Sequence, residues 1–408
     1  MAVAAYLKPT AAARYSTTIN FLRNGVFVEP THVDYQPEKA CNLRCVGCIG
    51  SLANGTVPLD DKISPYNIGK VLDQTLEGFT QLPFIHFSGL TGDPFVGVRR
   101  HGGTLTDLSC ITTEGIVHLI KKGWNYAEKA VVITNGVGLA RRGDELRKDS
   151  SDPFNVRLKE LGLNEWGYAP LGERAYTFTE LLAYIGFVMV SLDASNAAQY
   201  KRGKGVDLFE HVMDNLQMLN FWKHAYGVDR SQFFDHLGLA EDIPKSSPMS
   251  LNVNYVLTDD NCDISDGFIE RLLSNEVGGL RFRVDLFRGQ DADFQKRMFE
   301  MVSGLAEKYR DSGLKIVMKS PDKPINKDSF PVCFAPLFWP AIGRDGLVYP
   351  CAHSVMAGQQ IGSLWERSLL DILRDYHEKL IAGDIGSPNC SFLCPSTAGN
   401  INLLSTAG

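Results

Sequence analysis

Cys41, Cys45 and Cys48 stand in a C-x3-C-x2-C arrangement on one short segment running from Lys39 to Gly50. Thiolates are soft ligands suited to iron–sulfur clusters and zinc. Three of them at this spacing can wrap one loop around three irons of a [4Fe-4S] cluster and leave the fourth iron open. A structural zinc site closes itself with four ligands. No fourth cysteine lies nearby, and His32 precedes the group too early for a finger spacing, although zinc or a disulfide nest stays an alternative. A second group, Cys333, Cys351, Cys390 and Cys394, lies near the C-terminus. Gly343-Arg344-Asp345-Gly346 is a hairpin signal between two apolar runs. Such a hairpin would carry Cys333 and Cys351 onto neighbouring strands. Four cysteines can fully ligate an auxiliary [4Fe-4S] cluster, and a zinc ribbon is the alternative. Cys110 and Cys262 are left over. Both read as buried thiols, with Cys262 also a candidate hydrogen-atom donor.

These groups need a scaffold, and the sequence supplies alternating strand and helix signals of the βαβ kind. Six strands are predicted: from Thr31 to Pro37, Phe84 to Gly89, Ala130 to Gly136, Gly186 to Asp193, Ser250 to Leu257, and Gly279 to Leu286. Amphipathic helices are predicted around Tyr66 to Leu76, from Leu208 onward, and from Leu364 to Ile381. Six such units suggest an incomplete β/α barrel, whose chemistry gathers at the C-terminal strand ends. Polar residues do fall there. The second strand leads into Ser88-Gly89-Leu90-Thr91-Gly92-Asp93-Pro94, the third ends in Thr134-Asn135-Gly136, and the fourth in Ser191-Leu192-Asp193. Glycine permits close backbone approach to a ligand, although a plain turn would read the same way. Asn252 and Asn254 on the fifth strand, and Arg281 and Arg283 on the sixth, alternate with apolar residues and should face inward. Buried arginines are costly without an anion, so a substrate carboxylate or phosphate is expected there. The opposite strand phase would put them on the outer face.

The cysteine motif resembles that of the radical S-adenosylmethionine (SAM) superfamily, whose SAM chelates the open iron through its amino and carboxylate groups. In that family the residue before the last cysteine is usually aromatic; here it is Gly47. The resemblance implies a partial (β/α)6 barrel. It also implies that Gly89, Thr91, Gly92 and Asp93, a degenerate Gly-Gly-Glu-Pro segment, lie against SAM, with Asn135, Ser191 and Asp193 near its carboxylate and ribose. The basic segment from Tyr200 to Gly205 would bring Lys204 near the SAM carboxylate; a solvated basic loop is the alternative. The C-terminal cysteines resemble the auxiliary-cluster extension called the twitch domain of SPASM-related members, although C-x2-C is commoner there than the C-x3-C of Cys390 and Cys394. A flavodoxin or ferredoxin donor is implied as well.

The chain divides, on this reading, into an extension (1–30), a barrel (31–290) with insertions near 141–179 and 221–247, a helical linker (291–325) and a cluster domain (326–408). Its 408 residues suffice for a large core. A hydrophobic fraction of 44% and a charged fraction of 22% are ordinary for a globular protein. The net charge of −6 gives no footprint for nucleic acid. No apolar run would span a bilayer, no signal peptide is evident, and nine cysteines without one read as metal ligands in a cytoplasmic enzyme.

Three functions are open at this point. The first is an oxidoreductase that takes a hydrogen atom from a small polar metabolite, with the auxiliary cluster accepting the second electron; the short region before Thr31 favours it over a peptide-binding architecture. The second is a peptide-modifying epimerase or crosslinking enzyme. The third is a non-enzymatic iron–sulfur or zinc protein.

Overall fold

The computed structural model describes residues 25–37, 41, 43–46, 48, 62–64, 66–88, 92–95, 111–139, 168–171, 174–177, 181–225, 246–285, 291–318, 335–356 and 358–385. A ten-stranded sheet organises them. Seven parallel strands run in sequence order: β1 (His32–Tyr35), β2 (Phe84–Phe87), β3 (Ala130–Thr134), β4 (Phe187–Ser191), β5 (Ser250–Leu257), β6 (Gly279–Val284) and β7 (Lys315–Met318). Runs such as Ala-Val-Val-Ile-Thr and Phe-Val-Met-Val-Ser are β-branched and apolar throughout, as strands covered on both faces require. The stretch read as a helical linker holds a helix and then β7, whose Leu280↔Ile316 register extends the sheet beyond six strands.

At the other edge the chain returns. β8 (Ala341–Ile342) pairs in parallel with β1, and β9 (Leu347–Tyr349) and β10 (Gly362–Ser363) add antiparallel strands. The turn between β8 and β9 lies at Gly343–Gly346, where the sequence signals it, and Gly346 takes φ +77°. The C-terminal hairpin therefore continues the barrel sheet.

Helices cover the outer face. α1 (Ile68–Leu76) buries Ile68, Val71, Leu72, Thr75 and Leu76, the i, i+3, i+4 stripe of an amphipathic helix. α2 (Ile111–Lys122), α3 (Ala197–Lys204), α4 (Phe209–Ala225), α5 (Asp266–Ser274), α6 (Ala292–Lys308) and α7 (Leu369–Ala382) follow. Ser265, Asp291 and Ser368 cap the N-termini of α5, α6 and α7, each accepting a backbone N–H. Val33, Tyr35, Ile85, Phe87, Val188, Val190, Leu251, Val253, Leu280 and Phe282 belong to the main core against these helices. The alternate residues of the same strands line the inner face. There Val131, Phe187 and Met189 form a separate apolar cluster with Phe84 and Ile133.

The region expected as the first insertion contains an antiparallel hairpin, Tyr168–Leu171 with Arg174–Thr177, separate from the main sheet. Residues 221–225 of the second continue α4. Most of both insertions lies outside the described residues. Among those described, no helix is long and apolar enough to cross a membrane.

Candidate active site at the strand ends

Cys41, Cys45 and Cys48 follow β1 at its C-terminal end. Their loop is held by a helix terminus. The last carbonyls of a helix have no partner within it, and in α3 two of these accept from the cysteine loop: Arg44 N–H donates to Lys204 O (3.4 Å) and Val46 N–H to Gly203 O (2.9 Å). Gly205 stops α3 in the left-handed region at φ +77°, and a Cβ there would come within 3.4 Å of Arg44 O. Asn196 caps the other end, accepting from Gln199 N–H. The basic segment is thus helical, and Lys204, only 5% exposed, is buried where a solvated loop was one expectation.

Lys204 Nζ pairs with Asp193. Burial presses the ammonium towards neutrality, yet the charges of Asp193 and Cys45, with the Asp193 hydrogen bond, hold its pKa above the ordinary lysine value. Asp193 adopts φ +53°, a left-handed conformation that aspartate tolerates better than most residues. Its other carboxylate oxygen accepts Val256 N–H at 2.7 Å, and its carbonyl accepts Asn261 Nδ2 at 3.0 Å. One residue so ties β4, β5 and α3 to the cysteine loop.

Asp93 is buried and accepts three hydrogen bonds, from Phe95 N–H (3.0 Å), Thr134 Oγ1 (2.8 Å) and Asn135 N–H (2.7 Å). Burial raises its pKa, and these donors together with Lys204 oppose the rise. Asn135 in turn donates from Nδ2 to Cys41 Sγ at 3.5 Å and accepts Val137 N–H at Oδ1. Gly136, at φ +81°, cannot take a Cβ without meeting Val190 at 2.8 Å. The structure therefore brings Cys41, Cys45, Cys48, Asp93, Asn135, Asp193 and Lys204 to one end of the sheet. Gly92 precedes Asp93 there, buried. Gly89 and Thr91 lie outside the described residues, as do Cys333, Cys390 and Cys394. Cys351, half-buried, follows β9.

Three thiolates on one loop are the donor set that a [4Fe-4S] cube takes. Among the described residues no group of three His, Cys, Asp or Glu side chains is arranged to hold a metal ion. Burial pushes the Cys45 thiol up to about 11 and raises Cys41, with the charge of Cys48 adding to both rises. Lys204 opposes the rise at Cys45. A cationic partner for gathered thiolates is thus already built in.

Below the mouth, the inner face carries the other polar residues. Arg281 and Arg283 are half-buried on the face opposite Leu280 and Phe282. Asn252 turns back, donating to Ser250 O and Oγ, and its Oδ1 would lie 2.4 Å from a Cβ on Gly279. Asn254 is 9% exposed, and its side chain makes no hydrogen bond among the described residues. It stands in register between Ser191 and Arg281. Cys262 is half-exposed in the loop after β5, its thiol donating to Asp259 O at 3.6 Å.

Three residues on this face were missed from the sequence. Asp34, 7% exposed, accepts Ser88 Oγ at 2.5 Å, and Ser88 accepts Gln36 Nε2 at 2.6 Å. Burial raises the Asp34 pKa to about 7 against these hydrogen bonds. His86 stands in register with Asp34, and burial, with His32 and Arg281, pushes its pKa well below the ordinary histidine value. The signal was the alternation in His32-Val-Asp-Tyr-Gln36, which sets Asp34 and Gln36 opposite buried Val33 and Tyr35. At the strand beginnings His32 stacks on Phe84 (5.5 Å) and Trp339 (5.0 Å), giving this end an aromatic floor. Two surface cavities, of about 470 and 410 Å³, lie among α4 and α5 residues and beside α7. Neither is lined by the residues of the mouth.

No protein-family model and no curated protein matches the chain. Among solved structures it is similar to Streptococcus suis SuiB bound to S-adenosylmethionine, with a TM-score of 0.53 and 15% identity over 89% of this chain and 70% of that one. SuiB bound to the precursor peptide SuiA gives 0.52 at 14% identity, covering 89% and 68%. Native anSMEcpe with bound AdoMet and the Cp18Cys peptide gives 0.51 at 12% identity, covering 93% and 96%. At such identities the likeness is one of fold, a partial barrel built on a parallel sheet.

Proposed function

We infer from this fold, which is the radical SAM partial barrel, and from the three-cysteine loop seated at its mouth, that the chain is a radical SAM enzyme. One observation carries the reading: the Cys41–Cys48 loop is fastened to α3 beside the ion pair of buried Lys204 with half-buried Asp193, at the strand ends where barrel chemistry gathers. Cys41, Cys45 and Cys48 would hold a [4Fe-4S] cluster with one iron left for SAM, and that group, given one electron by an external reductant, would supply reductive cleavage of SAM to methionine and a 5′-deoxyadenosyl radical.

The protein's own work is placement. Lys204 offsets thiolate charge, and Asn135 donates to one ligand sulfur. Asp193 and Asp93 hold the strand ends that surround the ligand. Ser191, whose hydroxyl has no hydrogen-bond partner among the described residues, and Asn254 offer hydrogen bonds to a molecule entering from the mouth. A reactive radical demands a substrate already in place and water excluded. The inner face suits a small polar substrate, because Asn254 and Asp34 present buried polar groups there, and Arg281 and Arg283 lie on the same face.

The net reaction we propose is oxidation of that metabolite, the second electron passing to an auxiliary cluster on Cys333, Cys351, Cys390 and Cys394. A peptide substrate is the second reading. It is favoured by the neighbours, whose structures hold the SuiA and Cp18Cys peptides. The test is anaerobic reconstitution, followed by dithionite reduction with SAM. About eight irons per chain and formation of 5′-deoxyadenosine support two clusters and a working initiator. About four irons with SAM cleavage remove the auxiliary cluster alone, and no cleavage at all removes the radical SAM reading. Replacing Cys45 by Ala should abolish cleavage and lower the iron count, with little change in the melting of the metal-free protein.

A further inference from the structure

The turn that ends β3 is fixed from several sides. The Thr134 hydroxyl and the Asn135 N–H both donate to one oxygen of Asp93, at 2.8 and 2.7 Å. From α4, the amide of buried Asn215 donates to Gly136 O at 2.7 Å. Gly136 N–H donates back to Thr134 Oγ1 at 3.1 Å, and its φ of +81° is one that other residues adopt only under strain. The buried Asn135 side chain inherits this rigidity. Its Oδ1 accepts Val137 N–H at 2.9 Å, which fixes the orientation of the amide and turns Nδ2 to the cysteine loop. Nδ2 donates to Cys41 Sγ at 3.5 Å. The same sulfur accepts Leu43 N–H at 3.4 Å, so one N–H from the loop and one from the β3 turn converge on it. The family resemblance would direct Asn135 to the SAM carboxylate and ribose; here its amide meets a cluster ligand.

We propose that Asn135 is a positioning residue for electron uptake: its amide, aimed by Asp93, Val137 and the Asn215-held turn, donates to the Cys41 thiolate of the bound cluster and makes that cluster easier to reduce. The step is the entry of one electron from a low-potential donor, with no bond broken and no proton moved. Part of the added negative charge falls on the sulfurs, where an N–H donor is strengthened by it. Hydrogen bonds to the sulfurs and the net charge nearby are among the factors that set a cluster's potential. Groups that touch a metal ligand from outside tune the metal in general. Asn135 does so without adding a charge of its own, and its placement is set by main-chain bonds on three elements, β3, α4 and the Asp93 segment. A donor that cannot swing away keeps its effect in both oxidation states.

This inference rests on the proposed function for its cluster, but its test reads the cluster and not the SAM chemistry. The full-length protein is reconstituted anaerobically and poised at a series of potentials without SAM. The reduced cluster is counted by electron paramagnetic resonance, per iron bound. Asn135→Leu keeps the size of the side chain and removes the amide. At the parent's midpoint its ratio of reduced to oxidised cluster should fall about tenfold, which is about 59 mV for one electron. Asn135→Asp keeps an acceptor for Val137 N–H and sets a negative charge where the donor was, so its ratio should fall further. SAM affinity of each loaded protein is measured by calorimetry. An unchanged midpoint with weaker SAM binding would overturn the inference in favour of a SAM contact. An unchanged midpoint with unchanged SAM binding would overturn it outright. Loss of cluster binding by both variants would overturn it too, because Asn135 would then build the site instead of poising it. SAM cleavage is followed on the same samples. If the midpoint shifts but the parent does not cleave SAM, the radical SAM reading alone is wrong; if the parent cleaves SAM and the midpoint does not move, this inference alone is wrong.

Discussion

Asp93 and Asp34 are both buried carboxyls on the ligand-facing side of one sheet, and the chain treats them in opposite ways. Asp93, at the mouth, accepts from two backbone amides and a threonine hydroxyl. Asp34, deeper on the inner face, has the side-chain donors of Ser88 and Gln36. Desolvation raises both, but only at Asp93 do backbone donors and Lys204 oppose it. A carboxyl whose acceptor sites are filled by main chain is fixed in place and holds the loop that ligates it. One left partly unfilled stays available to a visitor. The mouth is therefore a fastened frame, whereas the inner face has capacity in reserve.

The sharpest way to break this contrast is at the mouth. Lys204→Met would strip Asp193 of its cation and leave a half-enclosed charge among β4, β5 and α3, a loss of about 4 kcal/mol in urea unfolding. If the variant is as stable as the parent, the frame is not held by this pair. Next comes the pH dependence of Asp34. Its folded pKa, about 7, lies above the value of 3.8 for the unfolded chain. The folded state thus binds more protons than the unfolded one between these values, and stability falls as pH rises. Relative to Asp34→Asn, the parent should lose about 3 kcal/mol between pH 5 and pH 8. Desolvation raises this titration and the Ser88 and Gln36 hydrogen bonds oppose it, so the difference between parent and variant is the quantity to measure. Parallel pH curves for the two proteins would place Asp34 in water.

Asp93→Asn tests the filled site. Whichever way the amide turns, its NH2 must face a donor, either Phe95 N–H or the pair of Thr134 and Asn135, and a buried donor is left unpaired. About 2 kcal/mol should be lost at neutral pH, together with weaker retention of iron, since Asn135 N–H is held by Asp93 and its side chain reaches Cys41. Asp34→Asn faces no such opposition, because Ser88 can still donate to the amide oxygen. A larger loss for Asp34→Asn than for Asp93→Asn at neutral pH would reverse the comparison.

Much of this frame was legible in the sequence, and what was hidden has physical causes. The first six strands are readable because each is a continuous or alternating run of β-branched and aromatic residues ended by polar turn residues. β7 is four residues, Lys-Ile-Val-Met, half-buried at a sheet edge, too short to outweigh its flanks. The Tyr200–Gly205 segment reads as a loop because of its two glycines. One of them is the left-handed stop of α3, and the other is tolerated within it at modest cost. The parallel pairing of β8 with β1 joins residues some three hundred positions apart, a choice no local pattern encodes. The cysteine loop announces its ligands, but its anchorage uses backbone groups, to which side-chain spacing is blind. Asp34 escaped notice for a related reason: its partner Ser88 is 54 residues away.

The smallest expected effect separates the two carboxyls most finely. Ser88→Ala removes the hydrogen bond that lowers the Asp34 pKa, so the midpoint should move above about 7. A neutral carboxyl loses little when a neutral donor is removed, and an ionised one loses more. At pH 5 the variant should therefore be within a few tenths of a kcal/mol of the parent, and at pH 8 lower by about 1 kcal/mol. Thr134→Val is the matching change at Asp93, where two backbone amides remain to hold the carboxylate. The cost there should vary less with pH over the same range. If Ser88→Ala costs the same at both pH values, its hydroxyl is packing rather than poising Asp34, and the inner face is as firmly fastened as the mouth.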